Sequence, residues 1–193
     1  MKKIFYLDTE TTGVNPISND IVQIAFIIEI DGKIKGKYNL FCQPLDYSRV
    51  SEEALRKQNR TLEDIKKYPS MNEAYEKLIS IMSSYVDKYD KMDKFYPAGY
   101  NVKFDINFLS NFFTKNGDKY YGAWFNWKMI DPYPLLHLLD SMGAIALPDY
   151  KLGTVCKHYD IQLTAHDALN DIEATVKLIE LLKERYINVD EKK

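Results

Sequence analysis

The chain has 193 residues, 46% hydrophobic and 28% charged, a balance that suits one folded domain with a sizeable core and argues against disorder. Its formal charge of -2 excludes a strongly basic surface that coats long polyanions, though not a site that grips a few nucleotides through metals and local side chains. Two distant cysteines, Cys42 and Cys156, exclude a disulfide framework, and no run approaches membrane-spanning length, so a cytoplasmic protein is expected.

The "MKK" start looks like the head of a signal peptide, but its apolar run, Ile4 to Leu7, stops at Asp8 and is too short for one. "FYLDTETTG" (5–13) reads as a strand on which Ile4, Tyr6, Asp8 and Glu10 share one face. Its two acids lie roughly 7 Å apart at Cα and repel each other unless a cation joins them. "IVQIAFIIEI" (21–30) and "KIKGKYNLFCQP" (33–44) are β-rich runs joined at Asp31-Gly32, a hairpin signal, so three antiparallel strands come first. Ser51 and Thr61 are placed to cap short helices, "SEEALRKQN" and "TLEDIKK". "MNEAYEKLISIMSSYVDKY" (71–89) carries Ala74, Leu78, Ile81 and Tyr85 at helical spacing, and "DKYDKMDK" (87–94) reads as a solvated connection.

"FYPAGY" (95–100) predicts a strand, and "NVKFDINFLSNFFTKNG" (101–117) a helix with Asn101 as cap and Gly117 at its end. "WKMID" (127–131) suggests a further short strand, and "KLGTVCKHY" (151–159) a small helix. The last helix runs from about Ala168 to Tyr186, with Leu169, Ile172, Val176 and Ile179 on one apolar stripe. The order predicts an α/β fold, a mixed sheet with helices on both faces, forming one domain over 1–186 with a short charged tail at 187–193.

An acid pair at a strand end also suits a solvated rim, and Asp105, in the first turn of its helix, also suits the helix dipole. "HDALND" supplies a third cluster: Asp171 shares a face with Ala168 and Thr175 beside the apolar stripe, and His166 lies at or before the helix start. Four carboxylates drawn to one sheet edge cannot all stay ionised without cations. All-oxygen ligation selects Mg²⁺ or Mn²⁺, and two such ions clamp the attacking and leaving oxygens of a phosphodiester. A histidine titrating near neutrality can take the proton of the attacking water.

"DTETTG", "GYNVKFDINFL" and "HDALND", in that order and with His166 five residues before Asp171, resemble the three motifs of the DEDDh-family 3′→5′ exonucleases. That family has a ribonuclease H-like fold and includes the proofreading epsilon subunit of bacterial DNA polymerase III and ribonuclease T; the likeness spans about residues 4–182. "SEEAL", "RTLEDI" and "KLGTVCKHYDI" resemble the segments between the motifs. The resemblance implies that Asp8, Glu10 and Asp171 hold one divalent ion, that Asp8 also reaches a second which Asp105 helps hold, and that His166 is the general base. It further implies that Thr11, Thr12 and Gly13 receive the terminal nucleotide, with Asn101 and Phe104 matching the second motif and Phe104 open between pocket wall and helix core. One departure is Ile172, where many members have a small residue after the last Asp; on the core stripe it reads as repacking.

The implied activity is release of nucleoside 5′-monophosphates from 3′ ends, with single-stranded DNA favoured over RNA as partner because "DTETTG" is closer to the proofreading type. The chain ends about eleven residues past Leu182, which suggests a free-standing nuclease or one acting beside a separate polymerase or repair protein, away from membranes. "DTETT" also resembles the phosphatase signature of the haloacid dehalogenases, but a hairpin rather than a helical crossover follows it. A non-catalytic nucleic-acid-binding module of the same fold is the other alternative, and it is expected to lack one or more acids. His137 and His158 read as structural, the two cysteines as small buried hydrophobes, and most tyrosines as core and rim.

Overall fold

The computed structural model describes residues 1–163 and 168–186. Strand β1 (Lys3–Thr11) is buried on both faces, β2 (Ile21–Ile30) is apolar along most of its length, and β3 (Lys33–Phe41) carries Lys33, Lys35 and Lys37 at the exposed edge. Charges on an edge strand deter further strand pairing. β1 and β2 are antiparallel, as are β2 and β3, and the hairpin turns at Asp31 and Gly32 with φ of 48° and 78°, the positive pair that a two-residue turn requires. β4 (Phe95–Ala98) lies parallel to β1 on its other side, giving the order β3-β2-β1-β4. The strand expected over 127–131 appears only as isolated bridges, Phe125 to Phe95 and Ile130 to Ala98, with Trp127 looping out to 86% exposure between them.

Helices α1 (Glu52–Lys57) and α2 (Leu62–Ile65) start at the expected caps, Ser51 and Thr61. α3 (Met71–Ser83) buries Met71, Ala74, Leu78 and Met82, so Met82 takes the core position expected of Ile81, and the helix stops six residues short of Tyr89. α4 (Lys103–Lys115), α5 (Tyr121–Trp124), α6 (Pro132–Ser141), α7 (Leu152–His158) and α8 (Ala168–Tyr186) follow. Among the described residues no helix is long and apolar enough to cross a membrane.

Alternation along β1 divides the interior in two. Phe5 and Leu7 face a large aromatic core shared with Phe26, Leu78 of α3, and Phe108, Leu109, Phe112 and Phe113 of α4. Within it Phe5 stacks on Phe26 at 4.6 Å and meets Phe125 edge-on at 5.2 Å. Ile4 and Tyr6 face the other way, with Ala25 and Ile27, against Ala168, Ile172 and Val176 of α8. The sheet therefore has helices on both faces, as expected, and the expected α8 stripe is the one that packs. Cys42 and Cys156 are free and buried, consistent with their reading as small hydrophobes.

Candidate active site

The end of β1 is where the two layers meet. Asp8 lies opposite Ala25 and Glu10 opposite Gln23, both acids half-buried on the α8 side. A register shift follows Glu10, so the chain leaves the ladder immediately after the second acid.

Asp105 arrives from the opposite layer. It sits in the first turn of α4, only 4% exposed, and its Oδ1 accepts hydrogen bonds from the Thr9 amide (2.9 Å) and the Thr9 hydroxyl (2.7 Å). Thr9 points to the α4 side of the strand, so the residue between the two acids anchors the third. Asp171, half-buried in the first turn of α8, comes from the other layer, where the Thr175 hydroxyl donates to its carbonyl oxygen at 2.9 Å.

Burial first, and then the negative charges of Asp105, Glu10 and Asp171, push the Asp8 carboxyl far above its ordinary range. Asp105 is pushed up to about 7, chiefly by burial, with Glu10 adding and the Thr9 hydrogen bonds opposing. Asp105, Glu10 and Asp171 thus all lie within electrostatic reach of Asp8. Among the described residues no group of three His, Cys, Asp or Glu side chains is arranged to hold a metal ion as it stands. The donor chemistry nonetheless fits hard divalent cations: all-oxygen ligands, half-buried or buried, and mutually repelled until a positive charge joins them.

The expected cap of α4 is corrected. Asn101 has a left-handed backbone (φ 55°) and α4 has no side-chain cap of its own. Instead Asp131, thirty residues on, accepts from the amides of Asn101 (Oδ1, 3.0 Å) and Val102 (Oδ2, 3.0 Å) while also capping α6 at Tyr133. The sequence carried half of this signal, since Asp131-Pro132 is a helix start in its own right. Phe104 is half-buried, with its ring against Phe108 at 4.8 Å, so it belongs at least partly to the α4 core.

The segment after Glu10 forms a closed loop. Thr12 donates its amide to the Asp20 carbonyl (2.8 Å), and the Asp20 amide donates to the Thr12 hydroxyl (2.9 Å). Thr11 is also buried, and its hydroxyl donates to the Gly13 carbonyl (2.6 Å). Gly13 lies so close to the Asn19 side chain that a Cβ would meet it at 2.6 Å. The hydroxyls of Thr11 and Thr12 are therefore engaged within the loop. From outside, the Ser51 amide donates to the Thr12 carbonyl (2.8 Å) and Gln58 Nε2 to the Thr11 carbonyl (2.8 Å). Gln58 and Asp20 are supports that sequence pattern did not single out. His166 lies outside the described residues.

Comparison with known proteins places this arrangement. Residues 5–179 match the exonuclease family model RNase_T, and the chain belongs to that family. The resemblance to the DEDDh-family 3′→5′ exonucleases drawn from the three motifs is thereby borne out. Among relatives in sequence, the chain is 26% identical to the DNA polymerase III PolC-type of Halalkalibacterium halodurans over 89% of its own length and 11% of the relative's. It is likewise 26% identical to that of Mycoplasmopsis pulmonis, over 94% of this chain and 12% of the relative's. In three dimensions it resembles E. coli Exonuclease I in complex with a dA16 oligonucleotide, with a TM-score of 0.79 at 21% identity, covering 99% of this chain and 42% of that one. The chain thus spans a small fraction of these PolC-type relatives and less than half of Exonuclease I. The likeness to Exonuclease I confirms the expected α/β, ribonuclease H-like fold.

Proposed function

We propose that this chain is a DEDDh-type exonuclease that hydrolyses the terminal phosphodiester at the 3′ end of single-stranded DNA, releasing nucleoside 5′-monophosphates. The observation that carries the reading is the convergence of Asp8, Glu10, Asp105 and Asp171, drawn from both layers of the sheet, on the end of β1. Such a cluster invites two divalent ions, Mg²⁺ or Mn²⁺, held by Asp8, Glu10 and Asp171 with Asp105 assisting. When bound, those ions make water easier to deprotonate and offset charge on the phosphate oxygens.

The protein groups have separate tasks. Asp105, pinned by Thr9, fixes the position of α4 against β1. The Thr11–Gly13 segment receives the terminal nucleotide, as its place after Glu10 in the first motif implies, and the hydrogen bonds of its threonines hold the loop in shape. Asn101 and Phe104, at the start of α4, flank it. His166 takes the proton of the attacking water as its oxygen adds to phosphorus, and the bond from phosphorus to the 3′ oxygen of the penultimate nucleotide breaks. DNA is favoured over RNA because the PolC-type relatives are DNA polymerases by name and Exonuclease I is held on DNA oligonucleotides. A polymerase or repair protein is the fitting partner on the same ground.

The test is purified protein with matched 5′-labelled single-stranded DNA and RNA, with Mg²⁺, Mn²⁺ or chelator, beside Asp8→Ala and His166→Ala. The expected result is a metal-dependent ladder shortening from the 3′ end, faster on DNA and lost in both variants. A folded, metal-binding wild type that shortens neither polymer overturns the assignment.

A further inference from the structure

α4 touches the β1 end-loop twice. At its start Asp105 holds Thr9, and at its last residue Lys115 reaches back to the far end of the loop, donating from Nζ to the Asn19 carbonyl (2.6 Å) and to Asp20 Oδ1 (2.7 Å). The two grips lie ten residues apart on one rigid helix, roughly 15 Å at helical rise. The second grip is largely buried: the side chain of Asp20 is 4% exposed and that of Lys115 20%. Asp20 also accepts from the Leu45 amide (2.8 Å), and its own main chain closes the loop onto Thr12 through two hydrogen bonds. Asn19, whose carbonyl Lys115 holds, packs its side chain against Gly13.

We propose that Lys115 is a positioning residue for the nucleotide-receiving loop. It holds Asn19 and Asp20 at a fixed distance from the Thr9–Asp105 anchor, so the Thr12–Gly13 backbone and the acid cluster are kept in register by a single helix. A cation at the last turn of a helix is favoured by the dipole, but that alone does not call for a buried carboxylate partner ninety-five residues away. The proposal rests on reading Thr11–Gly13 as the receiving segment. It assigns Lys115 a role in ground-state binding of the terminal nucleotide, not in the chemical step.

The experiment uses the full chain with Lys115→Met, Lys115→Gln and Lys115→Arg. Three quantities are read: amide hydrogen exchange, affinity for a deoxynucleoside 5′-monophosphate with Mg²⁺ present, and kcat and KM on a labelled strand. In Lys115→Met the Thr12 and Asp20 amides exchange faster while Thr9 is unchanged. Mononucleotide Kd and KM both rise about tenfold with kcat within about twofold, and Lys115→Arg largely restores them. Lys115→Gln, which keeps a donor but not the charge, shows the same pattern more weakly and serves if the methionine variant does not fold. Unchanged exchange at Thr12 and Asp20 with unchanged mononucleotide affinity overturns the proposal, as does a fall in kcat at constant KM. If the wild type releases no nucleotides, the nuclease reading fails, yet exchange and mononucleotide affinity still judge Lys115.

Discussion

A carboxylate that is 4% exposed and bordered by other acids needs a reason to stay, and at Asp105 the reason is twofold. Two hydrogen bonds from Thr9 fix its orientation, and burial beside Glu10 holds it partly protonated, with a folded-state value of about 7 against an ordinary 3.8. An acid raised in this way binds more protons in the fold than in the unfolded chain, so its contribution to stability is lost as pH climbs from about 4 to about 7. In chelator, the thermal midpoint should therefore fall between pH 5 and pH 8, by an amount equivalent to a few kcal/mol at most. Asp105→Asn should flatten the curve, and Mg²⁺ or Mn²⁺ should restore the wild type most strongly at the higher pH. A chelated wild type equally stable at both pH values, with no difference from Asp105→Asn, would contradict this account. Alternation along β1 made Asp8 and Glu10 legible as a pair on one face. The grip of Thr9 on Asp105 was not legible, because its partners are ninety-six residues apart and nothing local marks the contact.

Elements showed the same division between local and distant signals. Ser51, Thr61 and the Asp31-Gly32 turn act where they stand, and the structure uses all three as the sequence implied. The start of α4 depends instead on a carboxylate from another helix. Asn101 is in the left-handed region and α4 has no side-chain cap, so Asp131 instead holds the amides of Asn101 and Val102, the two residues that lead into the helix. Loss of a capping carboxylate costs about 1 kcal/mol and up to about 2, and Asp131 serves α4 and α6 together. Asp131→Ala should lower stability by about 2–3 kcal/mol, a fall of roughly 5–10 °C in thermal midpoint for a chain of this size. It should also weaken activity, because Asp105 lies only three residues beyond Val102. Asp131→Asn, which keeps one acceptor, should lie between. A thermal scan placing Asp131→Ala within a degree of wild type would show that α4 is held by its packing alone.

At the scale of the molecule, one sheet carries two unequal interiors, and the acid cluster stands where they meet. The α4 side is large and aromatic, whereas the α8 side is smaller and mostly aliphatic, with Ile4, Tyr6, Ala25, Ile27 and Ala98 against Ala168, Ile172 and Val176. That asymmetry explains why the apolar stripe of α8 could be read from spacing while the packing partners could not: spacing fixes which side of a helix is buried, not what lies opposite. Ile172, which the motif resemblance marked as a departure and the apolar stripe as core, is 2% exposed in the smaller interior, immediately after Asp171. Ile172 shares its cluster with Ala25, which lies opposite Asp8 on the ladder, so its packing ties the start of α8 to the strands that carry the acids. Ile172→Ala should cost about 2–4 kcal/mol through the cavity it leaves, more than Ile172→Val at about 1. It should also lower kcat/KM several-fold at temperatures where the protein remains folded, because α8 settles and carries Asp171 with it. An equal cavity in the larger interior, made by Leu78→Ala in α3, should cost as much stability yet leave kcat/KM nearly unchanged at the same temperature. Equal losses of activity from the two cavities would mean that the cluster responds to global stability alone, and unequal ones that packing on the α8 face is what aligns Asp171 with Asp8.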